Sequence, residues 1–260
     1  MSEDLVIERP GAIATLVLNR PKSHNAISIG MYTELPELVS ALDDDPSVKV
    51  VIVRGAGEKS FASGADISEF EEQRANAKSA RNYNERVADA EHAIEALSKP
   101  TIAMIHGYCI GGGAGLALAC DMRFADTNAR FAITPGKLGL VYSLESTKRV
   151  VDLAGPSRAN WILTSGLQIP AERALSLGLF DELTAPEELE KYTYDFAETV
   201  ASRAQFSVRS GKAMVRRVVN GQVADDAETI DIRNSSFDTD DYAEGVRAFL
   251  DKRAPQFQWS

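Results

Sequence analysis

Four glycines fall within residues 111–115 of the stretch GYCIGGGAGLALACD, Gly107 to Asp121. Glycine early in a helix costs up to about 1 kcal/mol relative to alanine, so this backbone must approach something closely or turn where a Cβ would clash. An apolar run precedes it and a helical pattern follows, which aims N–H groups at whatever occupies the loop's mouth. A dinucleotide fingerprint fails, because the sixth position is Leu116 counted from Gly111 and Leu118 counted from Gly113. A P-loop fails too, since no Gly-Lys-Ser/Thr follows. Close helix–strand packing is the alternative that requires no ligand.

A second candidate is SFASGADISEF, Ser60 to Phe70, which also follows a strand-like run and a glycine turn. Small residues at Ala62, Ser63, Gly64 and Ala65 leave the Ala65 amide accessible. Two strand-end loops, each with one free N–H, are the ingredients of an oxyanion hole. Other schemes lack support. His24, His92 and His106 have neither HExxH nor ligand spacing, and no GxSxG elbow exists. His106, at the end of an apolar run, reads as a hydrogen-bonded core histidine. His92, on a helix between the two loops, is a secondary acid–base candidate.

The elements that must position these loops alternate. Ala12–Arg20, Val48–Gly57 and Lys99–Gly107 are short Ile- and Val-rich runs bounded by Gly or Pro, and read as strands. Ile29–Leu42 and Glu71–Leu97 carry helical patterns between them. The alternation predicts βα units in an α/β fold. From about Leu144 onward helices alone are expected: a short one opened by Pro170 and Ala171, then Pro186–Ala204, Phe206–Asn220 and Asp240–Lys252. Such an amphipathic tail often packs on a neighbouring subunit.

Four blocks, NRPKSHNAIS, FASGADISEF, IHGYCIGGGAGLALACD and EGVRAFLDKRAPQF, closely resemble those of the crotonase (enoyl-CoA hydratase/isomerase) superfamily, in the family's order and over nearly the whole chain. The resemblance implies a ββα spiral core over residues 1–195 and a C-terminal α-helical trimerisation region over 196–260. It implies an acyl thioester of coenzyme A as substrate, with no separate cofactor, in a homo-oligomer that is a trimer or a dimer of trimers. The two amides that bind the thioester oxygen in the family fall on Ala65 and Gly112. Coenzyme A contacts fall on Lys22, Ala62, Asp66, Ile67 and Ser68, with Phe249 and Lys252 near the CoA of their own or an adjacent subunit. Asp66 also reads as a local turn or helix-start carboxylate.

The chain departs from the family where hydratases place their two glutamates. The first, in GGGxE, falls on Gly115, and the second, twenty residues on, falls on Pro135. Neither residue can move a proton, so simple hydration is not expected. The segment TPGKLGLVYSLES resembles methylmalonyl-CoA decarboxylases and places their tyrosine on Tyr142. Glu145 is the carboxylate nearest that turn, although the acid of family isomerases and dehalogenases falls on Ser143; Glu69 is a further candidate. Three readings stay open: an enzyme of the family acting through an enolate, as a lyase or isomerase; a decarboxylase of a malonyl- or methylmalonyl-type thioester; and a homologue that binds acyl-CoA without chemistry.

Composition is ordinary for a globular chain of 260 residues, with 44% hydrophobic and 25% charged residues. A net charge of −10 argues against nucleic acid as a partner. No run approaches the length of a membrane span and the first residues do not read as a signal peptide, so a cytoplasmic protein is expected. Cys109 and Cys120 have no metal-type spacing and read as reduced, buried fillers. No metal site is expected.

Overall fold

The computed structural model of the chain describes residues 2–9 and 11–258. Its first half runs β1 (Leu5–Glu8), β2 (Ile13–Leu18), α1 (Ile29–Asp44), β3 (Val50–Gly55), β4 (Ser60–Ala62), α2 (Phe70–Gln73), α3 (Ala77–Ala96), β5 (Thr101–Ile105), β6 (Tyr108–Ile110), α4 (Gly112–Ala119), β7 (Met122–Asp126) and β8 (Arg130–Ala132). There follow α5 (Leu144–Ala154), α6 (Pro156–Ser165), β9 (Ile169–Pro170), α7 (Ala171–Ser176), β10 (Glu182–Thr184), α8 (Pro186–Ala201), α9 (Gln205–Val219), α10 (Ala227–Ser235) and α11 (Asp240–Leu250).

Two sheets carry the fold. The larger has the order β1-β2-β3-β5-β7-β10, parallel except for the β1–β2 pair. Its central strands are apolar on both faces, as strands covered on both sides must be. Leu16, Leu18, Val51, Val53, Ala103 and Ile105 share one core with residues of α1, α3 and α4. Their neighbours on the opposite face, Ile13, Val50, Ile52, Ile102 and Met104, meet Leu189, Ala197 and Ala201 of α8. The smaller sheet has the order β4-β6-β8-β9, with β4, β6 and β8 parallel.

The chain thus steps from a strand of the larger sheet to a strand of the smaller one and then to a helix, three times over: β3–β4–α3, β5–β6–α4 and β7–β8–α5. This ββα repeat has one consequence for function. Strands β4 and β6 are hydrogen-bonded neighbours, so the loops that leave their C-terminal ends, at Gly64–Ala65 and Gly111–Gly112, emerge side by side.

Helix α1 passes through Pro36, which has no N–H to give the Tyr32 carbonyl. Burial of Met31, Tyr32, Leu35, Val39 and Leu42 along one face outweighs that loss.

The strand–helix alternation of the first half matches the sequence reading, and four features differ from it. Helices alone were expected after Leu144, yet β9 and β10 extend the edges of the smaller and larger sheets. Strands of two or three residues are too short to leave a period. The single helix expected over Glu71–Leu97 is broken at Arg74, and Asn76 starts α3 afresh by accepting from the Lys78 and Ser79 amides. The boundary expected at 195/196 falls inside α8, whose Ala197 and Ala201 still pack on the larger sheet. The helical remainder begins after Ala201 and includes α10, for which no element was expected.

Candidate active site

The first glycine loop is held from one side. Buried Asn25, at φ 54°, accepts from the Arg20 amide and donates through Nδ2 to Ser60 O at 2.7 Å and Ala56 O at 3.1 Å. Arg20 pairs with Asp66 at 2.8 Å, tying the turn to the loop. The Ile27 amide donates to Gly64 O and the Asp66 amide to Ile27 O, so 24–27 and 63–66 run as a short parallel bridge. Alternate amides of an extended segment point opposite ways. The N–H of Ala65, between two residues that face Ile27, therefore points away from it.

It points toward Gly112. An ideal Cβ on Gly112 would stand 3.3 Å from the Ala65 nitrogen and 2.2 Å from the Tyr32 hydroxyl. Gly112 is the first residue of α4, and Gly111 before it, at φ 53°, donates to Ala132 O. Gly113 lies against β4, where a Cβ would meet the Ala62 Cβ and carbonyl oxygen at 2.6 Å each. The glycine run therefore combines two roles: close packing on Ala62 and an open approach to the Ala65 amide. Neither the Ala65 nor the Gly112 amide donates to another group among the described residues. Two unpartnered donors meet at a helix N-terminus, where the dipole also favours negative charge.

Beyond them lies a carboxylate that the sequence reading passed over. A Cβ on Gly115 would stand 2.2 Å from Glu91 Oε1 and 3.5 Å from the Tyr142 hydroxyl. Glu91, on α3, is 4% exposed. Its Oε2 accepts from Ser146 Oγ at 2.8 Å and from Arg149 Nη1, while Arg149 Nη2 holds Glu95 at 2.6 Å. Burial, the largest effect, raises the Glu91 carboxyl above the usual range, and Arg149 opposes it. The Tyr142 hydroxyl is enclosed without a hydrogen-bond partner, and burial followed by the Glu91 charge pushes its ionisation far up. Tyr32 and Tyr83 meet edge-to-face at 6.1 Å, Phe70 meets Tyr83 at 6.0 Å, and Arg74 lies over both of those last two rings. Burial raises the Tyr32 phenol and pushes that of Tyr83 to about 12. All three tyrosines remain neutral near pH 7, so the wall they form is apolar with hydroxyl tips.

The expected site residues separate into groups. Ala65, Gly112, Gly115 and Tyr142 converge as described. Ala62 is fully buried beneath Gly113. Asp66 caps the turn Ile67–Glu69 by accepting from Ser68, and those bonds, followed by Arg20, hold its carboxyl below the usual value. Ile67 and Ser68 are exposed on that turn, and Lys22 is exposed on the turn Pro21–Ser23. Phe249 and Lys252 stand exposed at the end of α11, where Phe249 edges a groove of about 430 Å³ shared with Tyr242 and Val246. Pro135 opens a turn over Pro135–Lys137.

The acid candidates lie at helix starts and on an exposed helix face. Glu145 is exposed in the first turn of α5, where it favours the helix dipole. Glu69 accepts from the Ile29 amide at 2.7 Å and serves the start of α1. His92 is exposed, one residue from the buried Glu91 but on the other face of α3. The signal for Glu91 was present: with Tyr83, Val87 and Ile94 it lies on the stripe that α3 turns to the core. His106 is buried and bonds Asp126 at 2.7 Å, as expected of a core histidine. Cys109 and Cys120 are buried free thiols.

The family model for enoyl-CoA hydratase/isomerase matches residues 8–259. The crotonyl-CoA hydratase of Syntrophomonas wolfei is 35% identical over 257 residues, with 98% of each chain covered. The short-chain-enoyl-CoA hydratase of Clostridium acetobutylicum is 32% identical, covering 96% of this chain and 95% of that one. Among solved structures, the enoyl-CoA hydratase/carnithine racemase of Magnetospirillum magneticum superposes with a TM-score of 0.96 at 34% identity, over 100% of this chain and 97% of that one. The chain belongs to the enoyl-CoA hydratase/isomerase family.

Proposed function

We propose that the protein is an acyl-CoA enzyme that holds a thioester oxygen between the Ala65 and Gly112 amides and stabilises the enolate formed beside it. The observation that carries the reading is the convergence of these two unpartnered amides at the N-terminus of α4. As an enolate forms, charge grows on that oxygen, and fixed donors there stabilise it without reorganising. Ile67, Ser68 and Lys22 flank the mouth, on turns tied together by the bond from the Ser63 amide to His24 O, and they suit the CoA portion of the substrate. Coenzyme A then enters as part of the substrate, with no other cofactor.

The reading includes a homo-oligomer, a trimer or a dimer of trimers. Its support is the exposed apolar surface of the helical remainder, where Val218, Phe249 and Leu250 are 67%, 83% and 73% exposed. The reading also keeps the protein cytoplasmic, in line with its two free thiols. No helix among the described residues is long and apolar enough to cross a membrane.

A second reading, decarboxylation of a malonyl- or methylmalonyl-type thioester, draws on the enclosed Tyr142 hydroxyl as a donor to a departing carboxylate. The Glu91 charge beside that hydroxyl would repel such a group, which favours the first reading. Incubation with crotonyl-, 3-hexenoyl-, malonyl- and methylmalonyl-CoA, followed by mass spectrometry and NMR, separates the readings. Hydration or double-bond migration supports the first, and loss of carbon dioxide supports the second. Binding of all four without change would leave a non-catalytic acyl-CoA binder.

A further inference from the structure

In this fold the carboxylate is absent from α4, where Gly115 stands, but a carboxylate is not absent from the place its side chain would fill. We propose that Glu91 is the proton-transfer residue of the site, reaching across from α3 into the space above Gly115. The proposal rests on the enolate reading and names the group that makes the enolate.

Three observations carry it. First, an ideal Cβ on Gly115 would stand 2.2 Å from Glu91 Oε1, so the carboxylate occupies the space where a side chain at that position would begin. Gly115 lies three residues beyond Gly112 on the same helix, and residues three apart share a helix face. Second, the two carboxylate oxygens are not equivalent. Oε2 takes both bonds, from Ser146 and Arg149, while Oε1 takes none among the described residues. The Glu91 side chain as a whole keeps 6% of its surface exposed. Third, Arg149 is itself anchored by Glu95, which fixes the carboxylate without occupying its free oxygen. A buried acid serving only as a structural ion pair would be expected to have both oxygens satisfied.

The chemistry balances within the site. Oε1 takes a proton from C2 of the acyl group. The C2–H pair moves into the C1–C2 bond, and the carbonyl π pair moves onto the thioester oxygen, held by the Ala65 and Gly112 amides. Return of the proton to C2 reverses the step, and return to C4 of a 3-enoyl group migrates the double bond. One carboxylate performs both transfers, so the missing second glutamate at Pro135 is not needed. No redox partner or co-reactant enters.

The test uses two probes on the intact protein. Butyryl-CoA in D2O reports C2 proton exchange by NMR. The chromophore 4-dimethylaminocinnamoyl-CoA, whose absorption moves to longer wavelength when its carbonyl oxygen is hydrogen-bonded, reports the two amides and also that the site is folded. The wild-type protein is expected to give both signals. Glu91→Gln is expected to keep the chromophore shift and lose exchange by a factor of ~10²–10⁴, and Glu91→Asp, with Oε1 withdrawn, to fall between. Exchange in Glu91→Gln within threefold of wild type would overturn the role of Glu91 and leave the enolate site standing. A chromophore shift in the wild type with no exchange would overturn it in the same way. No shift in the wild type would overturn the oxyanion site, and this proposal with it.

Discussion

Glu91 Oε1 lies 2.2 Å from the point where a Cβ on Gly115 would stand, so the two residues compete for one volume. Glu91 is fixed there from α5 through Ser146 and Arg149, and Gly115 is the residue that leaves it room. The glycine and the buried acid are two halves of one arrangement, and a change at either is felt at the other.

Gly115→Ala is expected to destabilise the protein by ~1–3 kcal/mol, the usual cost of overfilling a packed site. The same change in a Glu91→Ala background is expected to cost much less, because the colliding carboxylate is gone. Thermal denaturation of the four proteins of this cycle measures the coupling. Equal losses in both backgrounds would contradict the shared volume.

Gly113 and Gly211 make a contrasting pair. A Cβ on Gly113 meets Ala62 at 2.6 Å, including its backbone oxygen, while one on Gly211, within α9, meets nothing within 4 Å. Gly113→Ala is expected to lower the melting temperature, and Gly211→Ala to raise stability by ~0.5–1 kcal/mol through helix propensity. Denaturant titration of each protein checks both signs.

Lys99 gives a pH dependence. Its side chain is buried, and Nζ donates to Leu42 O at 2.5 Å and to Asp45 O at 2.6 Å, at the end of α1. Burial lowers its amine from 10.5 to about 8. Between those values the unfolded chain holds more protons than the folded one, so this residue's contribution to stability rises with pH. Below about pH 8 the cost of burying the charge is fully present. The stability of wild type relative to Lys99→Met is therefore expected to increase from pH 8 to 10.5. A flat or falling difference in denaturant titrations would contradict this assignment.

Much of the site was legible because it is built from backbone. The small residues around Ala65 and the glycines from Gly111 to Gly113 mark places where a side chain cannot be accommodated, and such constraints are written directly in residue type. The strand-helix alternation was legible for the same local reason. Glu91 was harder to read. A glutamate on a helix is ordinarily solvated, and its partners Ser146 and Arg149 lie more than fifty residues away, beyond any local pattern. Its place on the buried stripe of α3 was the one local sign. The exposed positions of Glu145 and His92 follow from helix phase: each sits one residue from a buried position, on the wrong side of its helix. Strands β9 and β10 exist through pairing with β8 and β7 rather than through any period of their own.

The central claim is that the Ala65 and Gly112 amides together grip the oxygen of a bound thioester. Gly112→Ala tests it, since the added methyl points at the Ala65 nitrogen and at the Tyr32 hydroxyl. Difference infrared spectroscopy of bound crotonyl-CoA, with and without ¹³C at the thioester carbonyl, reads the strength of that grip. The wild-type protein is expected to shift the carbonyl stretch to lower frequency, and Gly112→Ala to return it toward the value in water while the fold persists by circular dichroism. A carbonyl band at its free position in the bound wild-type complex would contradict the account.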